Sequence, residues 1–110
     1  MSRDFELRIE DILEACHRVA DYIAGYDLAR FEEDYKTQDA VIRQFEIIGE
    51  AVKHLPEEIT LQEPGIPWRQ FAGFRDVLAH SYFAVDLSVL WEAAEVYAPL
   101  LQETCRRLKG

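Results

Sequence analysis

Apolar side chains recur every three or four positions along almost the whole chain, a spacing that suits helices and leaves no segment patterned for a sheet. From about Arg3 to Tyr26 the apolar set is Phe5, Ile9, Ile12, Leu13, Cys16, Val19, Ala20 and Ile23. These residues form one helical face, and Glu10, Asp11, Glu14, Arg18 and Asp21 fill the other. Gly25 loosens the end of this helix, and Asp27 is placed to cap a short one carrying Leu28 and Phe31. Thr37 is the next expected cap, with Asp39 suited to the positive end of the helix it opens. That helix carries Val41, Ile42, Phe45, Ile48, Val52 and Leu55 and must stop at Pro56.

Residues 56–67 hold three prolines and Gly65, so this is the main irregular stretch, with one helical turn expected at Glu57–Leu61. Pro67 suits the first turn of a further helix through Trp68, Phe71, Phe74 and Leu78, ending near His80–Phe83. Asp86 is the expected cap of the last helix, whose inward face reads Leu87, Leu90, Trp91, Ala94, Tyr97, Leu101 and Leu108. Pro99 lies inside it and removes the hydrogen bond to the Glu95 carbonyl, which predicts a kink there. No strand alternation and no internal repeat is present. The expectation is an all-α fold: an antiparallel bundle of four main helices with one or two short extra turns.

At 110 residues with 49% hydrophobic content, the chain fits a single domain, 1–110, with a real core. No apolar run approaches the roughly 20 residues of a membrane helix. Met1-Ser2-Arg3-Asp4 leads straight into the amphipathic pattern without the apolar stretch of a signal peptide. Cys16 and Cys105 stand alone, without metal or CxxC spacing, and read as reduced core residues. These features together predict a cytoplasmic protein that makes no use of a membrane. The net charge of -9 excludes a general nucleic-acid binder, which carries a basic surplus to displace counterions. Any chemistry on RNA must use a local basic site on an acidic body, and the overall charge suits a basic protein partner.

The local site stands out in Arg75-Asp76-Val77-Leu78-Ala79-His80-Ser81-Tyr82. An Arg that is always charged, a His that titrates near neutrality and a phenol fall within eight residues. They suit attack of an RNA 2′-OH on its neighbouring phosphate. His80 is able to move the proton, and Arg75 to clamp the phosphate oxygens and their transition-state charge. Asp76, four before His80, is placed to fix the imidazole tautomer. On an ideal helix Arg75 and His80 point roughly 140° apart. Either the helix ends before His80, or Arg75 reaches round, or a second copy completes the site. A single His does not easily serve as base and acid in one step, and a two-fold dimer bringing two His80 residues to one cleft removes that difficulty.

Arg75, His80 and Tyr82 form an RxxxxHxY pattern that resembles the motif of HepT-type HEPN proteins, also catalogued as DUF86. Residues 40–56, with their Ile-Gly-Glu-Ala segment, resemble that family's second long helix. Residues 66–76 resemble the approach to the motif, and Val85-Asp86 the start of the last helix. The resemblance implies an all-helical homodimer whose paired motifs line a cleft, acting as a metal-independent endoribonuclease that leaves 2′,3′-cyclic phosphate ends. It implies the toxin of a type II toxin–antitoxin pair, or a type VII-like one where the antitoxin acts by modification. The implied partner is an MNT-type nucleotidyltransferase that transfers AMP to the motif tyrosine, here Tyr82. No cofactor and no metal is implied. Asp76 departs from the pattern, since many relatives carry Asn after the motif Arg. The alternative function is a non-catalytic helical dimer that binds and regulates a nucleotidyltransferase.

Other groups carry less. Glu46, Glu50 and His54 share one helical face, but no second carboxylate–His set completes a di-metal site, so a solvated or interhelical row is expected. Arg43 and Lys53 are available to add positive charge if their helix borders the cleft. His17 has no evident partner and is read as structural. Trp68 and Trp91 sit in core stripes.

Overall fold

The computed structural model describes residues 4–80 and 86–110, with residues 75–80 described by their backbone alone. The elements are α1 (Asp4–Ile23), α2 (Leu28–Glu33), α3 (Tyr35–Lys53), α4 (Glu57–Thr60), α5 (Trp68–His80), α6 (Leu87–Glu92), a π-helical turn (Ala93–Tyr97) and α7 (Ala98–Lys109). Among the described residues there is no strand. The all-α bundle is as the periodicity predicts: α1, α3, α5 and the continuous run from α6 to α7 are the long members, and α2 and α4 the short ones. No helix among the described residues is long and apolar enough to cross a membrane.

The core lies where α1 meets α3 and α7. Ile9, Ile12 and Val19 of α1, Val41, Phe45 and Ile48 of α3, and Leu90, Leu101 and Cys105 of the last run are fully or almost fully buried. Each such aliphatic or aromatic side chain stabilises the fold by about 1.5–3 kcal/mol relative to exposure. Phe31 plugs the core from α2 and packs at a tilt on Trp91, with ring centroids 5.3 Å apart. Cys16 and Cys105 are buried free thiols, as expected. Burial pushes each thiol up to about 12, so neither is a thiolate at neutral pH.

The helix ends show where local chemistry sets the boundaries. Gly25, at φ +77°, supplies the left-handed turn after α1. Asp27 caps α2 as expected, accepting from the Arg30 amide. The cap of α3, however, is Asp34 and not Thr37. The Asp34 carboxylate accepts from the Thr37 amide at 3.0 Å, the Thr37 hydroxyl at 2.7 Å and the Tyr26 hydroxyl at 2.5 Å. These donors, Tyr26 foremost, hold its carboxyl down to about 2. The knot therefore stays ionised at neutral pH and ties the α1–α2 turn to the start of α3. Gln38, buried on α3, donates to the carbonyls of Phe31 and Glu32 that end α2.

Two further boundaries depart from the sequence reading. Pro67 sits just ahead of α5 instead of inside its first turn, and its carbonyl accepts from the Phe71 amide. In the last run, the interruption expected at Pro99 is taken up by the π turn. The Ala98 amide bonds to the Ala93 carbonyl, one residue longer than the α pattern. Pro99 then falls in the first turn of α7, where a missing N–H leaves nothing unsatisfied. The extra residue also shifts the inward stripe from Ala94 to Ala98, so Tyr97, expected in the core, is 38% exposed.

Helix α5 packs antiparallel on α3: Gly49 lies against Phe71, and Phe45 meets Phe74 edge-on at 5.3 Å. A Cβ built at Gly49 would stand 3.0 Å from the Phe71 carbonyl oxygen and 3.6 Å from that of Ala72. Both neighbours are backbone and give way poorly. Gly49→Ala should therefore destabilise the fold by about 1–3 kcal/mol, the usual cost of overpacking. Urea unfolding would show this as a lower midpoint, and an unchanged midpoint would mean that α5 has slack against α3.

Candidate active site

Helix α5 is anchored at its start and along its inner side. The Trp68 indole N–H donates to the Glu63 carbonyl at 3.0 Å, and the Glu63 carboxylate takes the Arg107 guanidinium at 2.8 Å. The loop before α5 is thus tied to α7. Buried Phe71 and half-buried Phe74 then face α3 and the last run. From these fixed residues the register of the rest of α5 follows at about 100° per residue.

Arg75, Asp76 and His80 all lie on the helical backbone of α5, and Tyr82 lies outside the described residues. Because the helix continues to His80, the first of the sequence alternatives, a helix ending before it, does not hold. Arg75 takes a register position beside the inward face. His80 shares the opposite, outward stripe with Arg69, Gly73 and Asp76. On one copy of α5, positions 75 and 80 therefore lie on different sides of the helix, roughly 140° apart.

The outward stripe has two features of its own. Among the described residues, no atom lies within 4 Å of where a Cβ of Gly73 would stand. A glycine inside a helix costs about 1 kcal/mol relative to alanine, and no packing among the described residues requires it. Arg69 is exposed and has no ion-pair partner among the described residues. It borders an open groove of about 680 Å³ with Leu61, Pro64 and Trp68. On the other flank, Gly73 and Phe74 share an apolar groove of about 410 Å³ with Val89, Ala93 and Tyr97 of the last run. Val89, Val96, Tyr97 and Leu100 leave that run with an exposed apolar edge.

His54 turns its Nδ1 back on the Glu50 carbonyl at 2.8 Å, and its distance to the Glu50 carboxylate is 3.8 Å. The Glu46–Glu50–His54 row is a partly exposed helical face, and no group of three or more metal-ligating side chains converges among the described residues. Arg43 lines a mixed-charge groove with Arg8, Asp11 and Glu46, which dilutes the positive potential expected of it. His17 does have a partner, Asp21 at 3.4 Å on the exposed side of α1. Trp91 is in the core as expected, and Trp68 is half-buried. The outer groove escaped the sequence reading because its wall is made by Tyr97, which the π turn rotates out of the core stripe.

Comparison with known proteins agrees with the motif. Residues 12–108 match the HepT-like family, described as ribonuclease HepT-like. The chain is 40% identical over 109 residues to a Thermococcus cleftensis protein named probable ribonuclease HepT, spanning 99% of both chains. It is 40% identical over 90 residues to a Methanocaldococcus jannaschii protein named as a candidate RNase, covering 82% of this chain and 74% of that one. A Caldanaerobacter subterraneus relative, again a candidate RNase by name, is 35% identical over 91% of this chain and 89% of its own. No solved structure matches. The chain belongs to the HepT-like ribonuclease family.

Proposed function

We propose that this protein is a metal-independent endoribonuclease whose site is completed by a second copy of the chain. The observation that carries the two-copy site is the course of α5, which stays helical through His80 and so sets Arg75 and His80 on different sides. Family membership and the ribonuclease names of the relatives support the activity. In a homodimer that apposes two α5 helices, one His80 takes the proton of the 2′-OH. The 2′ oxygen bonds to phosphorus as the bond to the 5′ oxygen breaks, and the second His80 protonates that leaving oxygen. Arg75 neutralises the phosphate charge that grows in the transition state. Asp76, four residues before His80, holds the imidazole tautomer.

In this reading the activity is that of a toxin, and the partner is an MNT-type nucleotidyltransferase antitoxin. Transfer of AMP from ATP to the Tyr82 hydroxyl, with release of pyrophosphate, would place a phosphodiester near Arg75 and occupy the charge meant for RNA. The motif supports this control, since a tyrosine two residues beyond the histidine is otherwise unneeded for cleavage. The second reading, a dimer that only binds and regulates its nucleotidyltransferase, leaves the combination of Arg75 and His80 without a task.

Purified protein free of its partner should cut single-stranded RNA in the presence of a chelator and leave 2′,3′-cyclic phosphate ends. His80→Ala and Arg75→Ala should each lower the rate by at least about 100-fold, the scale of a lost acid–base or charge-stabilising group, with helicity kept. Equal behaviour of wild type and His80→Ala on RNA would favour the regulatory dimer. Intact-mass analysis of protein co-expressed with the nucleotidyltransferase should show AMP adducts that vanish in Tyr82→Phe. Inhibition without any adduct would remove the modification step.

A further inference from the structure

The outward stripe of α5 holds more than His80. Arg69 is eleven residues earlier, close to three full turns, and so returns to the same side of the helix about 16 Å away along the axis. It is exposed, and among the described residues it has no carboxylate partner in a chain with 21 acidic residues and 12 basic ones. Between Arg69 and His80 the stripe passes Gly73, where no described residue lies within 4 Å of a Cβ position. Neither feature serves a contact among the described residues. Together they describe a path along the helix with an exposed cation at one end and the register position of His80, the candidate proton-transfer residue, at the other.

We propose that this stripe is the track of the RNA strand, and that Arg69 grips a backbone phosphate a few nucleotides from the one cleaved at His80. The inference rests on the ribonuclease reading and adds a substrate-binding residue to it. Gly73 lets the sugar–phosphate backbone approach the helix closely, the use to which a glycine without a packing role is suited. A guanidinium suits the grip because it offers paired donors to phosphate oxygens. The groove beside Trp68 and Leu61 gives the bases flanking that phosphate an apolar wall on which to rest. On an acidic protein, one placed cation also orients the strand, since phosphates avoid the surrounding carboxylates.

The test compares wild type, Arg69→Gln, Arg69→Lys, Gly73→Ala and Arg18→Gln, the last making the same charge change on the exposed side of α1. Oligoribonucleotides of increasing length around one cleaved bond serve as substrates. Arg69→Gln should raise KM on long strands roughly tenfold, the scale of one charged hydrogen bond, while kcat holds. The slope of log kcat/KM against log salt should become shallower by about 0.7, the value for one phosphate contact on a single strand. Arg69→Lys should recover part of the loss. Gly73→Ala should melt higher than wild type, keep its oligomeric state and lose activity selectively on long strands. Equal length dependence in Arg69→Gln and Arg18→Gln would overturn the proposal, as would a Gly73→Ala protein altered in oligomeric state alone. Fluorescence anisotropy of labelled single-stranded RNA separates the two readings. If wild type cuts nothing yet binds RNA more tightly than Arg69→Gln, the track stands and the nuclease reading falls. If the two bind alike, the track falls.

Discussion

The close approach of α3 and α5 at Gly49 is the constraint on which the site depends. With no side chain at position 49, the backbone of α5 can rest at the Phe71 carbonyl, and Phe45 can meet Phe74 edge-on one turn further along. Two contacts on one helix fix its rotation as well as its distance. Once Phe71 and Phe74 face inward, helical periodicity puts positions 69, 73 and 80 on the outward side of the helix and position 75 beside the inner face. The division of the motif between two sides is thus a consequence of core packing.

The supports around that contact are polar and local. Asp34 gathers three hydrogen bonds and locks the start of α3 to the α1–α2 turn. Glu63 links the indole of Trp68 to Arg107 and so fixes the entry to α5 from the opposite end of the bundle. The π turn ahead of Pro99 keeps the last run continuous while rotating Tyr97 to the groove beside α5. Each device accommodates a residue that would otherwise break a helix or leave its end unsatisfied.

Most of the fold could be read directly from the chain, because apolar spacing and the punctuation by Pro, Gly and Asp act locally. The reading failed where two local rules competed. Asp34 and Thr37 are both good caps, and the choice fell to Asp34 because the Tyr26 hydroxyl, eight residues away in sequence, also reaches it. Pro99 predicts a broken ladder, but not that a π turn would absorb it and displace Tyr97. For the site, the residue types and their spacing could be read, as could the misfit of Arg75 and His80 on one helix. Which side of α5 faces the core could not, since that is decided by Gly49 on another helix.

The central claim is that cleavage needs groups from two copies of the chain. It is tested most directly by co-expressing differently tagged wild-type and His80→Ala protomers and isolating the mixed species. The His80→Ala homodimer should be inactive on RNA. The mixed dimer, which keeps one His80 and so lacks either the base or the acid, should cleave nearly as slowly as that homodimer. A mixed dimer that forms in good yield and keeps about half of the wild-type rate, as two independent single-copy sites would, would contradict the account.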